Sequence, residues 1–289
     1  MQQQSLVHHY LPRFYLRQWA GADGLICEFS RPHMRVQARR KSPKATGHKP
    51  GLYTVTGLPP ERQSILEDDF FRRTDQTAHD ALRFMLANQD GTGDMPSKLR
   101  SGWSRFILSL VHRTPERLAL LKEKCRIALT ERLAEIEPIY HEFRGPSDPP
   151  TFTQLKADME HDVEHKTWAV LLQDVIDSVT VGTFINAMRW SVVTVRNAPH
   201  SVLTSDRPVY MTNGIEHPEG QIILPIGPTR MFVAVNTPEM EDVLRTSDPH
   251  RLMGLMNDKV ARSACRYVYG TDDRQLRYVE NRLGRDIRT

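Results

Sequence analysis

The spacing of apolar positions changes twice along the chain and divides it into three parts. Leu11, Phe14, Tyr15, Leu16 and Trp19 recur at helical spacing, which predicts a short amphipathic helix after Pro12, a residue suited to a first helical turn. The turn signal Gly21-Ala22-Asp23-Gly24 leads into short strands expected over 25–30 and 52–55. From residue 61 to 190 the apolar residues fall three and four apart. Ile65, Leu66, Phe70, Ala81, Phe84 and Met85 mark one helix. Leu99, Trp103, Phe106, Ile107 and Leu110 mark the next, which must stop before Pro115. Further helices are expected over 116–137 and 152–189. After Trp190 the period drops to two: β-branched stretches at 191–195, 201–204, 209–212, 221–224 and 231–235 are parted by turn signals such as Asn213-Gly214 and Gly227-Pro228. Helices at 239–244, 250–264 and 273–282 and a strand at 266–269 complete the pattern. The expected class is α+β: a helical middle region packed on a mainly antiparallel sheet built largely from the C-terminal third, with a short N-terminal helix and two short strands. The chain is read as a single compact domain, 1–289, made of the parts 1–60, 61–190 and 191–289.

Composition adds limits rather than an answer. Of 289 residues, 39% are hydrophobic and 26% charged, which describes a globular protein and excludes a disordered one. No apolar run is expected to reach the length of a membrane span and no signal peptide is evident, so a cytoplasmic location is expected. Cys27, Cys125 and Cys265 are widely spaced and odd in number, which fits a reducing compartment and excludes a cysteine-based zinc knuckle. The net charge of +4 says little by itself, but its distribution is uneven. Between Arg31 and Lys49 stand Arg31, Arg35, Arg39, Arg40, Lys41, Lys44 and Lys49 with no acid. Pro43, Gly47, Pro50 and Gly51 make this run a loop, either one that follows a phosphate backbone or one that is simply solvated.

The candidate chemistry lies at the edges of apolar elements. His8-His9-Tyr10-Leu11-Pro12-Arg13-Phe14-Tyr15-Leu16-Arg17 puts histidines, tyrosines and arginines before and along a helix start, a place that favours anions. His161-Asp162-Val163-Glu164-His165 spells H-x-x-E-H, in which two histidines four apart can face one zinc; its neighbours are those of a solvated helix surface, and no metal is expected. Leu203-Thr204-Ser205-Asp206-Arg207-Pro208-Val209 interrupts a strand pattern with hydroxyls and a carboxylate. Asp206 is read as a turn former, an ion-pair partner of Arg207 or a catalytic carboxylate. Arg113 closes an apolar helix, Glu67 falls beside an apolar stripe and needs a partner, and Asn257 is a candidate buried polar contact. No Walker loop, G-x-G-x-x-G, G-x-S-x-G or kinase signature is present, which argues against nucleotide-driven and serine-hydrolase mechanisms.

The opening His-His-Tyr-x-Pro-Arg-Phe-Tyr-Leu-Arg, Arg-Thr-Pro at 113–115, Leu-Thr-Ser-Asp-x-Pro-Val at 203–209 and Met-Asn-x-x-Val-Ala-Arg at 256–262 together resemble a bacterial family catalogued as domain of unknown function 4238. Where that family often has asparagine after Ser-Asp, this chain has Arg207. The resemblance implies, for some members, antiphage defence that includes removal of modified bases from phage DNA. The function expected is therefore a nucleic-acid-acting hydrolase, a DNA N-glycosylase, with a metal-dependent nuclease or a non-enzymatic sensor as alternatives. Asp206 is the first choice for the catalytic carboxylate and Glu67 the second; in the nuclease alternative His8 or His9 is the general base, and Asp206 with Glu67 holds Mg²⁺. Substrate contacts are expected from His8, Tyr10, Arg13, Tyr15, Arg113, Ser205, Arg207 and Asn257, and DNA backbone contacts from Arg35, Arg39, Arg40, Lys41 and Lys44. Neither cofactor nor protein partner is expected. DNA is the partner, and Asp206→Ala is expected to abolish activity with the fold intact.

Overall fold

A computed structural model describes residues 7–88 and 92–287. In chain order its elements are β1 Val7–His9, α1 Arg13–Leu16, β2 Ile26–Ser30, β3 Gln37–Lys41, β4 His48–Pro50, α2 Arg72–Ala87, α3 Ser97–His112, α4 Pro115–Ile136, α5 Tyr140–Phe143, α6 Phe152–Asp162, α7 Trp168–Ile176 and α8 Val179–Ala187. There follow β5 Arg189–Thr194, β6 Thr204–Ser205, β7 Tyr210–Thr212, β8 Gln221–Gly227, β9 Arg230–Val235, α9 Pro238–Thr246, α10 Pro249–Ser263, β10 Tyr267–Gly270 and α11 Leu276–Glu280. The class is α+β, with helices in the middle of the chain and antiparallel sheets mostly from its C-terminal part.

The chain separates into two compact units. One is made of residues 1–8, 49–73 and 112–177, the other of 9–48, 74–111 and 178–289. In the first, α4 packs against α6 and α7. Leu118, Leu129 and Leu133 of α4 are buried, as is Trp168 of α7, and the Lys122 ammonium sits 4.1 Å from the Trp168 ring centre.

The second unit holds two four-stranded antiparallel sheets, ordered β3-β2-β10-β6 and β5-β9-β8-β7. Side chains alternate across a strand, so Cys27 and Phe29 of β2 and Val268 of β10 enter a core with Met253, Met256 and Val260 of α10. Asn257, on the same helix, explains why 201–203 is not the strand its pattern predicts. Its side-chain oxygen accepts from Leu203 N at 2.7 Å and its nitrogen donates to the Ser201 carbonyl at 2.9 Å, bonds that a ladder would otherwise provide.

Local expectations fail where side-chain bonding or chain reversal overrides pattern. The basic run is not a loop: 37–41 is strand β3, paired along its length with β2, and 43–45 is a single helical turn. Residues 52–55 form no strand; they lie in turns, with Leu52, Tyr53 and Val55 buried. The N-terminal helix is short, with only four α-helical residues before a tighter turn at Arg17–Trp19. His8 and His9 lie in β1 rather than at a helix-end anion site. Residues Phe152–Ala187 do form a run that passes for a membrane span by length and composition, against expectation, with 28% of its most apolar window buried. A wide turn at Val163–Thr167 and the Ser178 hydroxyl capping Val181 N at the start of α8 interrupt it.

Candidate functional site

The strongest concentration of chemistry lies on the β3-β2-β10-β6 sheet, on the face opposite its apolar core. Register aligns Thr204, Tyr269, Glu28 and Arg39 in one row across the four strands, and Tyr267, Ser30 and Gln37 in the next row on that face. Glu28 is 1% exposed. A carboxylate so buried requires charge and donors around it, and the fold supplies both. Lys41, one-third exposed at the end of β3, places its ammonium 2.9 Å from Glu28 Oε1. The Thr46 hydroxyl donates to Oε2. Because that proton is committed, the Tyr269 hydroxyl, 2.9 Å away, donates to Thr46. The result is a donor chain Tyr269–Thr46–Glu28. Burial, with the nearby Tyr10, Glu28 and Asp206, holds the Tyr269 phenol well above its usual range, so it stays a donor.

The segment that closes over this row is set by Gly47. Its φ of +64° suits glycine, and its carbonyl accepts from both Tyr10 N (2.9 Å) and Leu11 N (3.0 Å). A Cβ there would stand 2.9 Å from Leu11 Cβ. The neighbouring His9 lies with its ring centre 5.2 Å from that of His48, and its Nε2 is 3.3 Å from the Lys44 carbonyl. Arg13 Nε stands 3.5 Å from the same nitrogen, so Nε2 serves one partner per tautomer: protonated it donates to the Lys44 carbonyl, and unprotonated it accepts from Arg13.

Asp206 sits one residue past β6, at 4% exposure. Its carboxylate accepts three backbone amides: Cys265 N at 2.8 Å, Arg266 N at 2.6 Å and Tyr267 N at 3.1 Å. It therefore turns to the start of β10 and not to Arg207. Removing it would strand three donors, so Asp206→Ala is no clean test of catalysis. Ser205 is fully buried, and its hydroxyl accepts from Arg207 N at 3.1 Å. Tyr15 is enclosed too. Its hydroxyl donates to the Pro225 carbonyl at 2.8 Å and accepts from Thr204 at 2.7 Å, and burial raises its pKa far beyond the usual phenol value. Neither Tyr15 nor Tyr10, at 4% exposure, offers a face to stack a base.

The five residues expected on a DNA backbone divide. Arg40 is committed to Asp23 (2.6 Å) and to the Leu25 and Thr271 carbonyls, and Lys41 to Glu28. Arg35, Arg39 and Lys44 are exposed. His8, Glu67 and Arg113 belong to the other compact unit. There the His8 ring lies parallel to Tyr53 and accepts from Tyr53 N at 2.8 Å, and the Tyr53 hydroxyl donates to the Arg113 carbonyl at 2.6 Å. The fully buried Arg113 guanidinium lies 5.5 Å from the Phe71 ring centre, and Glu67 is half-buried in the wide helical turn Leu66–Phe71. Adjacent strand residues face opposite ways, which separates His8 from His9.

His165 lies in the wide turn at Val163–Thr167, 2.6 Å from the Thr56 hydroxyl, with its ring tilted against that of His161 (centres 4.4 Å apart). Among the described residues no three of His, Cys, Asp or Glu gather to hold a metal ion. Glu28 and Tyr269 escaped sequence reading. The available signal was a lone acid inside Ile26-Cys27-Glu28-Phe29, eleven residues before the cluster Arg39-Arg40-Lys41.

Fold and site together define an α+β protein with a carboxylate, a lysine and two tyrosines on the non-core face of one sheet. The chain belongs to the family described as Protein of unknown function (DUF4238), which matches residues 7–274. No curated protein and no solved structure matches it.

Proposed function

We propose that this protein is a nucleic-acid-acting hydrolase, a DNA N-glycosylase that removes a modified base in antiphage defence, with Glu28 in place of Asp206 as its reactive carboxylate. The observation that carries this reading is the sheet row itself. A buried carboxylate is ion-paired to a lysine that is one-third exposed, and the exposed Arg39 stands in the same row. Lys41 is the ion-pair partner of Glu28; a swing of its ammonium toward solvent would free the carboxylate to orient water or to stabilise an oxocarbenium-like transition state. The exposed Arg35, Arg39 and Lys44 serve the phosphate backbone. DNA is the partner in this reading, and the cytoplasm its location.

The test is to incubate the purified protein with DNA from phages carrying modified and unmodified bases and to measure free base and abasic sites. Glu28→Gln keeps an acceptor for Thr46 and is expected to lower base release at least 100-fold while circular dichroism stays unchanged. Absence of free base and abasic sites on every DNA would defeat the reading. A second reading, a non-enzymatic sensor of nucleic acid, is favoured by Asp206, whose oxygens are all engaged by backbone amides. It predicts that Glu28→Gln still binds DNA and still protects cells. The nuclease alternative gains nothing from the described residues, which assemble no metal-ligand set.

A further inference from the structure

We infer that the cleft at the end of the sheet, where β2 finishes and β10 begins, is a binding site for a single nucleotide carrying its phosphate. The inference rests on the nucleic-acid reading above and names where the extruded unit goes. The cleft has a volume of about 530 Å³ and is lined by Ser30, Arg31, Cys265, Arg266, Tyr267 and Gly284, among others. That size falls within the roughly 300–1,000 Å³ typical of small-molecule sites.

Its chemistry suits a planar base joined to an anion. Tyr267 is half-buried and stacks on Tyr269 (ring centres 6.2 Å apart, 30° between planes), which is itself fully buried; the outer ring is therefore backed by a fixed one. Stacking on such a ring tolerates any base. Arg31 and Arg266 bring two positive charges to the walls. The Arg31 guanidinium is set in place by bonds to the Glu280 carbonyl (2.9 Å) and the Leu283 carbonyl (3.3 Å), which use two of its five donors. Asp206 fixes the other wall through the amides of 265–267, so the cleft is preorganised. Ser30 and Tyr267 stand two residues, about 7 Å, along their strands from Glu28 and Tyr269 on the same face. The Ser30–Tyr267 pair that lines the cleft is thus the row next to the one that holds Glu28 and Tyr269.

The experiment is a calorimetric titration of the full chain with deoxynucleoside monophosphates, with inorganic phosphate and with unphosphorylated deoxynucleosides. The expected result is that monophosphates bind at least tenfold tighter than either fragment. Tyr267→Leu and Arg266→Ala should each lose about tenfold while Tyr267→Phe keeps affinity, since the ring and not the hydroxyl does the stacking. Monophosphates that bind no tighter than phosphate, or a Tyr267→Leu protein that binds as well as the parent, overturn the assignment. The two claims fail separately: base release without monophosphate binding removes the cleft and leaves the hydrolase, and monophosphate binding without base release on any DNA does the reverse.

Discussion

Asp206 and Glu28 are two buried carboxylates with opposite surroundings. Asp206 is surrounded by backbone amides, donors that cannot leave without moving the chain. Glu28 is held by a hydroxyl and by a lysine whose side chain is one-third exposed. Asp206→Asn should therefore act on stability: it places an amide donor against amide donors and is expected to cost roughly 2 kcal/mol or more, read as a lower urea midpoint. A midpoint within error of the parent would remove the structural role. His112, at the end of α3, offers a pH test. Burial, then the nearby Arg117, lowers its pKa below the usual value of about 6.5. The unfolded chain then binds the proton more tightly, so this contribution is complete above about 6.5 and is lost as pH falls toward the lowered value. The urea midpoint should fall between pH 7.5 and pH 5.5 by more in the parent than in His112→Gln; equal falls would show that the histidine does not contribute. Cys27, by contrast, is pushed up to about 11, chiefly by burial, and should stay a thiol.

Among the elements, α2 and α3 meet so closely that a glycine is required. A Cβ on Gly102 would stand 2.2 Å from Thr77 Cγ2 and 3.0 Å from its Cβ. Gly102→Ala is expected to cost about 1–3 kcal/mol by overpacking, and adding Thr77→Ala should recover part of it; a single variant that melts with the parent would refute the close packing. The apolar stripe Leu99, Trp103, Phe106, Ile107 and Leu110 announced α3, because a periodic apolar face holds a helix wherever it docks. The short strands were less legible. Val209–Thr212 and Arg266–Tyr269 have similar local patterns, yet β7 joins β8 while β10 lies between β2 and β6. Partner choice depends on which edge is available, and no single strand encodes that.

For the whole molecule, the α+β class followed from two periodicities and their order along the chain, but the sequential thirds did not predict two compact units each assembled from separated segments. The N-terminal run shows why. Its histidines are neighbours in sequence, and strand alternation sends His8 to Tyr53 and His9 to the Lys44 carbonyl. Sequence pattern by itself determined the helices, the family and the places where polar groups interrupt apolar elements, because these are local properties of spacing. Only tertiary structure decided that Arg40 and Lys41 are spent on Asp23 and Glu28, that Tyr15 is enclosed, and that Thr204, Tyr269, Glu28 and Arg39 form one row. Those facts depend on which strands lie side by side and in what register, and residues far apart in the chain meet there for the first time.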